Sequence, residues 1–326
     1  MPISCRVTRG DFTESIHVAF AVVVDGEGQT IFSTGDPHYL TCIRSSLKPF
    51  QAGAVIKSGA VDSVGFDKQE IALMCASHLG EDIHIKTAGN MLKKIGYTAD
   101  NYECGIHPPA DIASRHDLIQ SKIKPNPLHN NCSGKHAGML SLAKHLTGES
   151  KGYIKSEHPV QKTIYKYLQK YTGIQDIPME TDGCSAPTAF FTMETIAKLY
   201  QMLATDKYPE LVRAYNAMTS YPYNVAGKGH FDTKFISALN GNGVTKGGGE
   251  SIRGIALKNR NGNNLGISLK VLDGSSRAMP IGTITLLKHL DLLTKKELSD
   301  LKEFSKRDRL NCREKNIGHV EVFVES

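Results

Sequence analysis

The order of two hydrophobic periodicities constrains this chain more than any other feature of its sequence. Near the N-terminus a β-branched run, Ile16 to Val24, is followed by a turn and a second short run at 29–33. Similar runs at 254–258 and 265–272 flank a turn at 259–264. Such runs, bounded by Gly, Asn and Asp, are typical of β-hairpins. The sequence therefore predicts a hairpin toward each end of the chain.

The residues between these hairpins have apolar side chains at helical spacing. They predict helices over 68–75, 81–95, 134–146, 157–171 and 188–204. Beyond the second hairpin we predict a helix over 280–293, another near 295–306 and a final strand, His319 to Val324. The glycine-rich segment at 246–250 predicts a flexible loop.

This order of elements predicts an α+β fold rather than alternating β-α-β units. We expect a single domain spanning residues 1–326. In it, strands from about 1–40 and 245–326 form one antiparallel sheet, with the helical part, about 41–244, inserted between them. A hydrophobic content of 40% is ordinary for a globular protein and excludes disorder of the whole chain.

Charge and composition exclude several classes of partner. The 39 basic and 33 acidic residues are scattered, and the net charge of +6 predicts no nucleic-acid surface. No apolar run approaches the ~18 residues of a membrane span, and the N-terminal residues lack the apolar core of a signal peptide. We therefore expect a cytoplasmic protein, whose seven cysteines are free thiols or metal ligands rather than disulfides.

A first candidate for chemistry is the pair Ser45 and Lys48. Three residues apart on a helical turn, their side chains share one face. A serine hydroxyl is a weak nucleophile until a base removes its proton, and a lysine serves as that base only when its pKa is lowered. The spacing alone is a weak signal, because an ordinary helix start also has it.

Two further segments supply the same residue types. Ser77 and His78 follow the helix predicted at 68–75, where small residues also fit a helix end. Lys270 lies in a strand of otherwise mostly apolar residues, on the same face as Ser268. A Ser-x-x-Lys, a second serine and a lysine late in the chain are also the catalytic residue types of serine β-lactamases and penicillin-binding proteins. The late strand lacks their Lys-Thr-Gly.

Cys132 and Cys184 each lie beside a glycine just ahead of a predicted helix. Cys132 is three residues from Lys135 and four from His136, so either pair could share a metal ion. The alternative, purely structural interpretation is a buried thiol beside a helix that Ser133 caps. Two cysteine loops that meet would need a third ligand for zinc.

Five motifs occur in this chain in a fixed order between residues 44 and 278. They are Arg-Ser-Ser-Leu-Lys-Pro-Phe-Gln, Cys-Ala-Ser-His-x-Gly-Glu, Asn-Asn-Cys-Ser-Gly-Lys-His-Ala-Gly-Met-Leu, Asp-Gly-Cys-x-Ala-Pro and Lys-x-x-Asp-Gly-x-x-Arg-Ala. In these motifs the sequence resembles the L-asparaginase II family of the Rhizobium etli type. It differs from the asparaginases that use a threonine nucleophile.

The resemblance implies a serine β-lactamase-like fold, hydrolysis of L-asparagine to L-aspartate and ammonia, and a homodimer. It implies two Ser–Lys tandems, Ser45 with Lys48 and Ser77 with Lys270. Lys258 is the alternative partner of Ser77, but Lys270 is favoured because an Asp-Gly and an Arg follow it.

The resemblance also implies a zinc ion bound by Cys132, Lys135 and Cys184, which supports substrate binding. Asp182 would hold the substrate ammonium. Arg44 would lie beside the nucleophile, and His78 would belong to the substrate-binding site.

The resulting hypothesis is that neutral Lys48 takes the proton of Ser45, which attacks the side-chain amide. Ser77 and Lys270 then relay a proton to the departing ammonia. Ser77 as the nucleophile remains an alternative. Rival functions are hydrolysis of glutamine, a β-lactam or another small amide or ester, and a zinc-stapled binding protein without turnover.

Overall fold

A computed structural model describes residues 1–260 and 262–324. The chain divides into two compact units. The first, here called the sheet unit, comprises Met1–Thr41, Phe191–Thr205 and Ala238–Ser326. The second, the helical unit, comprises Cys42–Phe190 and Asp206–Ser237.

The elements follow the chain in this order. The strands are β1 Ile3–Arg9, β2 Phe12–Val24, β3 Thr30–Thr34, β4 Leu40–Cys42, β5 Met179–Thr181, β6 Pro187–Thr192, β7 Gly243–Gly248, β8 Ile252–Arg260, β9 Asn263–Val271, β10 Asp308–Leu310 and β11 Asn316–Phe323. The α-helices are α1 Lys48–Lys57, α2 Ala60–Val64, α3 Lys68–Met74, α4 Asp82–Ile95, α5 Ile112–Gln120, α6 Ser133–Thr147, α7 Pro159–Thr172, α8 Met193–Ala204, α9 Pro209–Ser220, α10 Pro222–Val225, α11 Phe231–Ala238, α12 Ala278–His289 and α13 Lys295–Asp300. Short 3₁₀ helices span Arg44–Leu47, Ala99–Asn101, Pro127–His129 and Lys302–Ser305.

The sheet unit is built on one antiparallel sheet from both ends of the chain. Its strands lie in the order β10-β11-β1-β2-β9-β8-β7, and β3 also pairs with β2. In the register, Cys5 of β1 lies opposite both Val322 of β11 and His17 of β2. The predicted sheet from both chain ends is confirmed. The predicted turn at 259–264 includes Asn261, which lies outside the described residues.

Two sequence predictions in this unit are wrong. The loop predicted over 246–250 begins only at Gly249, because Lys246 to Gly248 complete strand β7 and pair with β8. The helix predicted at 188–204 begins only at Met193, where the Thr192 hydroxyl accepts from the Thr195 N–H as an N-cap. The preceding residues form β6, since their Thr and Phe side chains favour a strand.

Helix α8 lies close against β8 and β9 because both strands present a glycine to it. A Cβ on Gly254 would lie 1.8 Å from the Tyr200 ring, and one on Gly266 would lie 2.0 Å from the Ala197 carbonyl. The Ser268 hydroxyl donates to the Met193 carbonyl over 2.7 Å at the start of the helix. Close packing therefore depends on two residues without side chains.

The helical unit surrounds two buried helices, α1 and α6. Residues Lys48 to Ile56 and Ser133 to Ala143 are buried on all faces, as expected for core helices. A Cβ on Gly134 would lie 2.2 Å from the Leu73 carbonyl, so α6 lies directly against α3. The predicted helices at 68–75, 81–95, 134–146 and 157–171 agree with α3, α4, α6 and α7 to within about two residues.

Near the C-terminus, α12 begins two residues earlier than predicted, and α13 gives way to a 3₁₀ turn. Among the described residues, no helix has the length and apolar character that a membrane crossing requires.

Candidate active site

The helical unit gathers four of the five motifs that the sequence singles out. Ser45 and Lys48 lie where a 3₁₀ turn runs into α1, and Ser77 follows α3. Cys132 precedes α6, and Cys184 lies in the connection between β5 and β6. Lys270, from the fifth motif, lies on β9 of the sheet unit.

Lys48 is buried, and its amine reaches across to two other segments. Nζ lies 3.0 Å from Ser77 Oγ and 3.3 Å from the Asn131 carbonyl, and it also donates to the Ala76 carbonyl. The two carbonyls can only accept, whereas a hydroxyl can also donate. Of the three oxygens that Lys48 Nζ contacts, the Ser77 hydroxyl is therefore the one that could exchange a proton with the amine.

Ser45 lies on the 3₁₀ turn immediately before Lys48 and is half-buried. Its carbonyl accepts the backbone N–H of Lys48, so the two residues are joined through the main chain. In the described part of the chain, the hydrogen-bond contacts of Lys48 Nζ do not include the Ser45 hydroxyl. The preceding residue, Arg44, has φ +45°, a left-handed conformation that costs energy for a residue with a side chain.

His78 fastens the Ser77 segment to the start of α6. Its backbone N–H donates to the Asn131 carbonyl over 3.3 Å. The Gly80 N–H donates to Nδ1, which leaves the proton on Nε2, and Nε2 donates to Ser133 Oγ over 2.8 Å. Burial lowers the pKa of His78 well below its ordinary value, so the ring is neutral.

The sequence suggests Ser133 as the N-cap of α6, but the structure does not place it there. It is the first helical residue, and Cys132 occupies the N-cap position. The Ser133 hydroxyl is the partner of His78 instead.

Cys132, Lys135 and Cys184 form a buried cluster. Lys135 Nζ lies 2.9 Å from Cys184 Sγ. A hydrogen bond from Cys132 and the Lys135 charge together outweigh burial and lower the pKa of Cys184 to about 4. The hydrogen bond to Cys184 and burial raise the pKa of Cys132 to about 12. Burial alone would lower the pKa of Lys135, but the Cys184 and Cys132 sulfurs hold it above its ordinary value.

The donor chemistry of this cluster fits a soft divalent cation. Two buried sulfurs and one buried amine would offer a zinc ion three donor atoms. Within residues 1–260 and 262–324, no group of three or more His, Cys, Asp and Glu side chains could hold a metal ion. A metal at this position therefore depends on Lys135 as the third ligand.

Asp182 and Arg44 form a charged pair beside the cluster. Asp182 Oδ1 accepts from Arg44 Nε and from the Gly183 N–H, each over 2.8 Å. Burial would raise the pKa of Asp182, but the Gly183 N–H and the charges of Lys135 and Arg44 lower it overall. Oδ2 has no hydrogen-bond partner among the described residues and is the oxygen that a cationic ligand could meet.

The two candidate late lysines differ in burial. Lys270 is buried, lies opposite Phe20 and Ile252 in the sheet, and donates from Nζ to the Glu250 carbonyl. Lys258 is half-buried near the end of β8.

Sequence reasoning missed two residues of this site. Asn131 supplies a carbonyl that accepts from both Lys48 and His78, and Ser133 supplies the hydroxyl that His78 binds. Both lie inside the third motif, and this position was the only sequence indication of a role in the site. Their hydrogen-bond partners are about 50 to 80 residues away in sequence and cannot be predicted from the motif.

A family model described as L-asparaginase II matches residues 5–322. A comparison with curated proteins gave no match. Among solved structures, the chain is similar to "Crystal Structure Analysis of Mglu", with 11% identity and a TM-score of 0.36 over 84% of this chain and 67% of that one. It is also similar to "Crystal Structure Analysis of Mglu in its tris and glutamate form", with 12% identity and a TM-score of 0.38 over 84% of this chain and 59% of that one.

Proposed function

Because the chain belongs to the L-asparaginase II family, and is thereby an amidohydrolase acting on a linear amide, we propose that it hydrolyses L-asparagine to L-aspartate and ammonia. The observation that carries the proposal is the environment of Lys48. This buried amine contacts two carbonyls and the Ser77 hydroxyl, and the hydroxyl is the one of these contacts that could exchange a proton with it. We also propose a serine β-lactamase-like fold for the chain.

In the first step, neutral Lys48 accepts the proton of Ser45. Ser45 Oγ then attacks the side-chain amide carbon of asparagine and forms a tetrahedral intermediate. The position of Ser45 on the turn before Lys48 supports this assignment.

In the second step, the carbon–nitrogen bond breaks and ammonia leaves. Ser77 donates its proton to the departing nitrogen and is reprotonated by the Lys48 ammonium, to which it is hydrogen-bonded. Lys270 is proposed as the second lysine of this relay. Water then attacks the ester and releases aspartate, with the proton returning to Ser45.

The Lys48–Ser77 contact also supports a second assignment, in which Ser77 itself is the nucleophile. Ser77 is the serine whose hydroxyl lies within hydrogen-bonding distance of the base. The two assignments require the same lysine and differ in which serine carries the acyl group.

Substrate recognition is proposed for the charged residues beside the serines. Asp182 Oδ2 would accept the substrate ammonium, and Arg44 orients that carboxylate through Oδ1. His78 is buried with both ring nitrogens engaged, so its contribution to substrate binding would come through the segment that it fastens.

We propose that Cys132, Lys135 and Cys184 hold a zinc ion, with Lys135 in its neutral form. When bound, the metal would neutralise the thiolates and fix the loop that carries Asp182. The alternative of a zinc-stapled binding protein predicts metal-dependent stability without turnover.

The experiment is ammonia release from L-asparagine by Ser45→Ala and Ser77→Ala variants, with Ser63→Ala as a control. Ser63 hydroxyl contacts only the Ala60 carbonyl in the described structure. Loss of activity in Ser45→Ala together with trapping of an acyl group on Ser45 supports the first assignment. Near-normal kcat in Ser45→Ala contradicts it, and an acyl group on Ser77 then establishes the second.

The same assay with L-glutamine and a β-lactam separates the rival substrates. If the metal-loaded enzyme hydrolyses none of asparagine, glutamine and the β-lactam, the proposed activity is contradicted. We further propose a cytoplasmic homodimer, which sedimentation of the purified protein and cell fractionation would test.

A further inference from the structure

The sheet unit contains a cavity that the proposed chemistry does not use. Its volume is about 380 Å³, and it lies between the last turns of α12 and the segment that follows α13. Three of the residues that line it, Lys288, Lys302 and Arg307, are cationic and exposed. Thr285 and Ser305 add two hydroxyls.

The charged residues that line this cavity are all cationic. No acidic side chain is among the described residues that line it. In the described part of the chain, none of Lys288, Lys302 and Arg307 forms an ion pair. The carboxylate of Glu321, whose pKa Arg307 helps to lower, is already hydrogen-bonded to Arg6 over 2.7 Å.

Helix electrostatics explain only part of this arrangement. Lys288 lies in the last turn of α12, where the helix dipole favours a cation. Lys302 lies just beyond the end of α13, whereas Arg307 lies beyond the last helical turn, and both line the same cavity from a different segment. All three side chains are exposed, so water weakens their mutual repulsion, and an anion bound between them would be attracted by all three.

We propose that this cavity binds a small organic phosphate ester. A phosphate group has about −1.5 to −2 charges and three acceptor oxygens, which match three cations and two hydroxyl donors. Apolar side chains of Ile284 and Leu298 also line the space, and they suit an organic body rather than a bare ion. The volume lies within the range of about 300–1,000 Å³ that is typical of small-molecule sites.

The test is calorimetric titration of the full-length protein with AMP, a hexose phosphate, inorganic phosphate and adenosine. The variant is Lys302→Ala combined with Arg307→Ala. The matched control is Lys306→Ala, because Lys306 is an exposed cation between the two targets and does not line the cavity. Thermal unfolding of each variant checks that it is folded.

We expect at least one of the phosphate esters to bind more tightly than inorganic phosphate or adenosine. The double variant should weaken that binding by about tenfold or more, while Lys306→Ala changes it less than about twofold. Absence of binding by both esters overturns the proposal. So does equal weakening by Lys306→Ala, which would mean diffuse attraction to surface charge, or equal binding of inorganic phosphate, which would mean an adventitious ion only.

Discussion

Replacement of Lys48 by Met should separate the catalytic role of this residue from its structural one. Lys48 is 1% exposed, and its amine donates to Ala76 and Asn131 carbonyls while contacting the Ser77 hydroxyl. Methionine has nearly the same length and no polar atom that needs a partner, so it can fill the same space.

The magnitudes follow from the contacts that are lost. The Asn131 carbonyl keeps the His78 N–H, whereas the Ala76 carbonyl loses its lysine partner at a cost of about 1–3 kcal/mol. Methionine removes the cost of burying an amine without a carboxylate beside it. The free energy of unfolding should therefore change by less than about 2 kcal/mol. Loss of the base should lower kcat by about 10²–10⁴-fold, or about 3–5 kcal/mol in the barrier.

The assay pairs ammonia release from L-asparagine with urea unfolding. Lys48→Arg is a second variant, because arginine stays protonated and cannot serve as a base. Lys57→Met, at the exposed end of the same helix, is the control. Activity of Lys48→Met above about a tenth of the parent value would refute the role of Lys48 as the base.

Further variants test the packing and charges around the site. Ser133→Ala should lower the free energy of unfolding by about 1–3 kcal/mol, because it leaves the buried His78 N–H without its partner; an unchanged urea midpoint would contradict this. Gly134→Ala should cost about 1–3 kcal/mol, since its Cβ would lie 2.2 Å from the Leu73 carbonyl, and full stability in the same assay would contradict the close packing. The low pKa of His78 means that only the unfolded chain gains its proton below pH about 6.5, so stability present at pH 7 should fall toward pH 5 by up to about 1.4 kcal/mol per unit, and His78→Gln should reduce that slope in urea titrations. Asp182→Asn should raise KM for asparagine more than it lowers kcat, and an unchanged KM would exclude Asp182 from ammonium binding.

Local hydrophobic periodicity predicts those helices and strands correctly whose tertiary surroundings agree with the secondary-structure preference of their residues. The β-branched run Ile16 to Val24 forms the C-terminal part of β2, and the stripes over 81–95 and 157–171 form α4 and α7. It failed where packing overrides composition. Gly247 and Gly248 read as a loop, but pairing with β8 holds them in a strand.

The sequence by itself determined the chemistry available to this protein. It identified the family, and it predicted both serines, Lys48, Lys270 and the two cysteines with the lysine of the cluster as site residues, because residue type and short spacing are local properties. Only the tertiary structure decided that Lys48 contacts Ser77 rather than its neighbour on the turn, and that a hydrogen bond from Cys132 and the charge of Lys135 together lower the pKa of Cys184. Those outcomes depend on contacts between residues that are 29 and 49 positions apart in sequence, and on the burial of these residues. Neither the contacts nor the burial can be predicted from short sequence spacing.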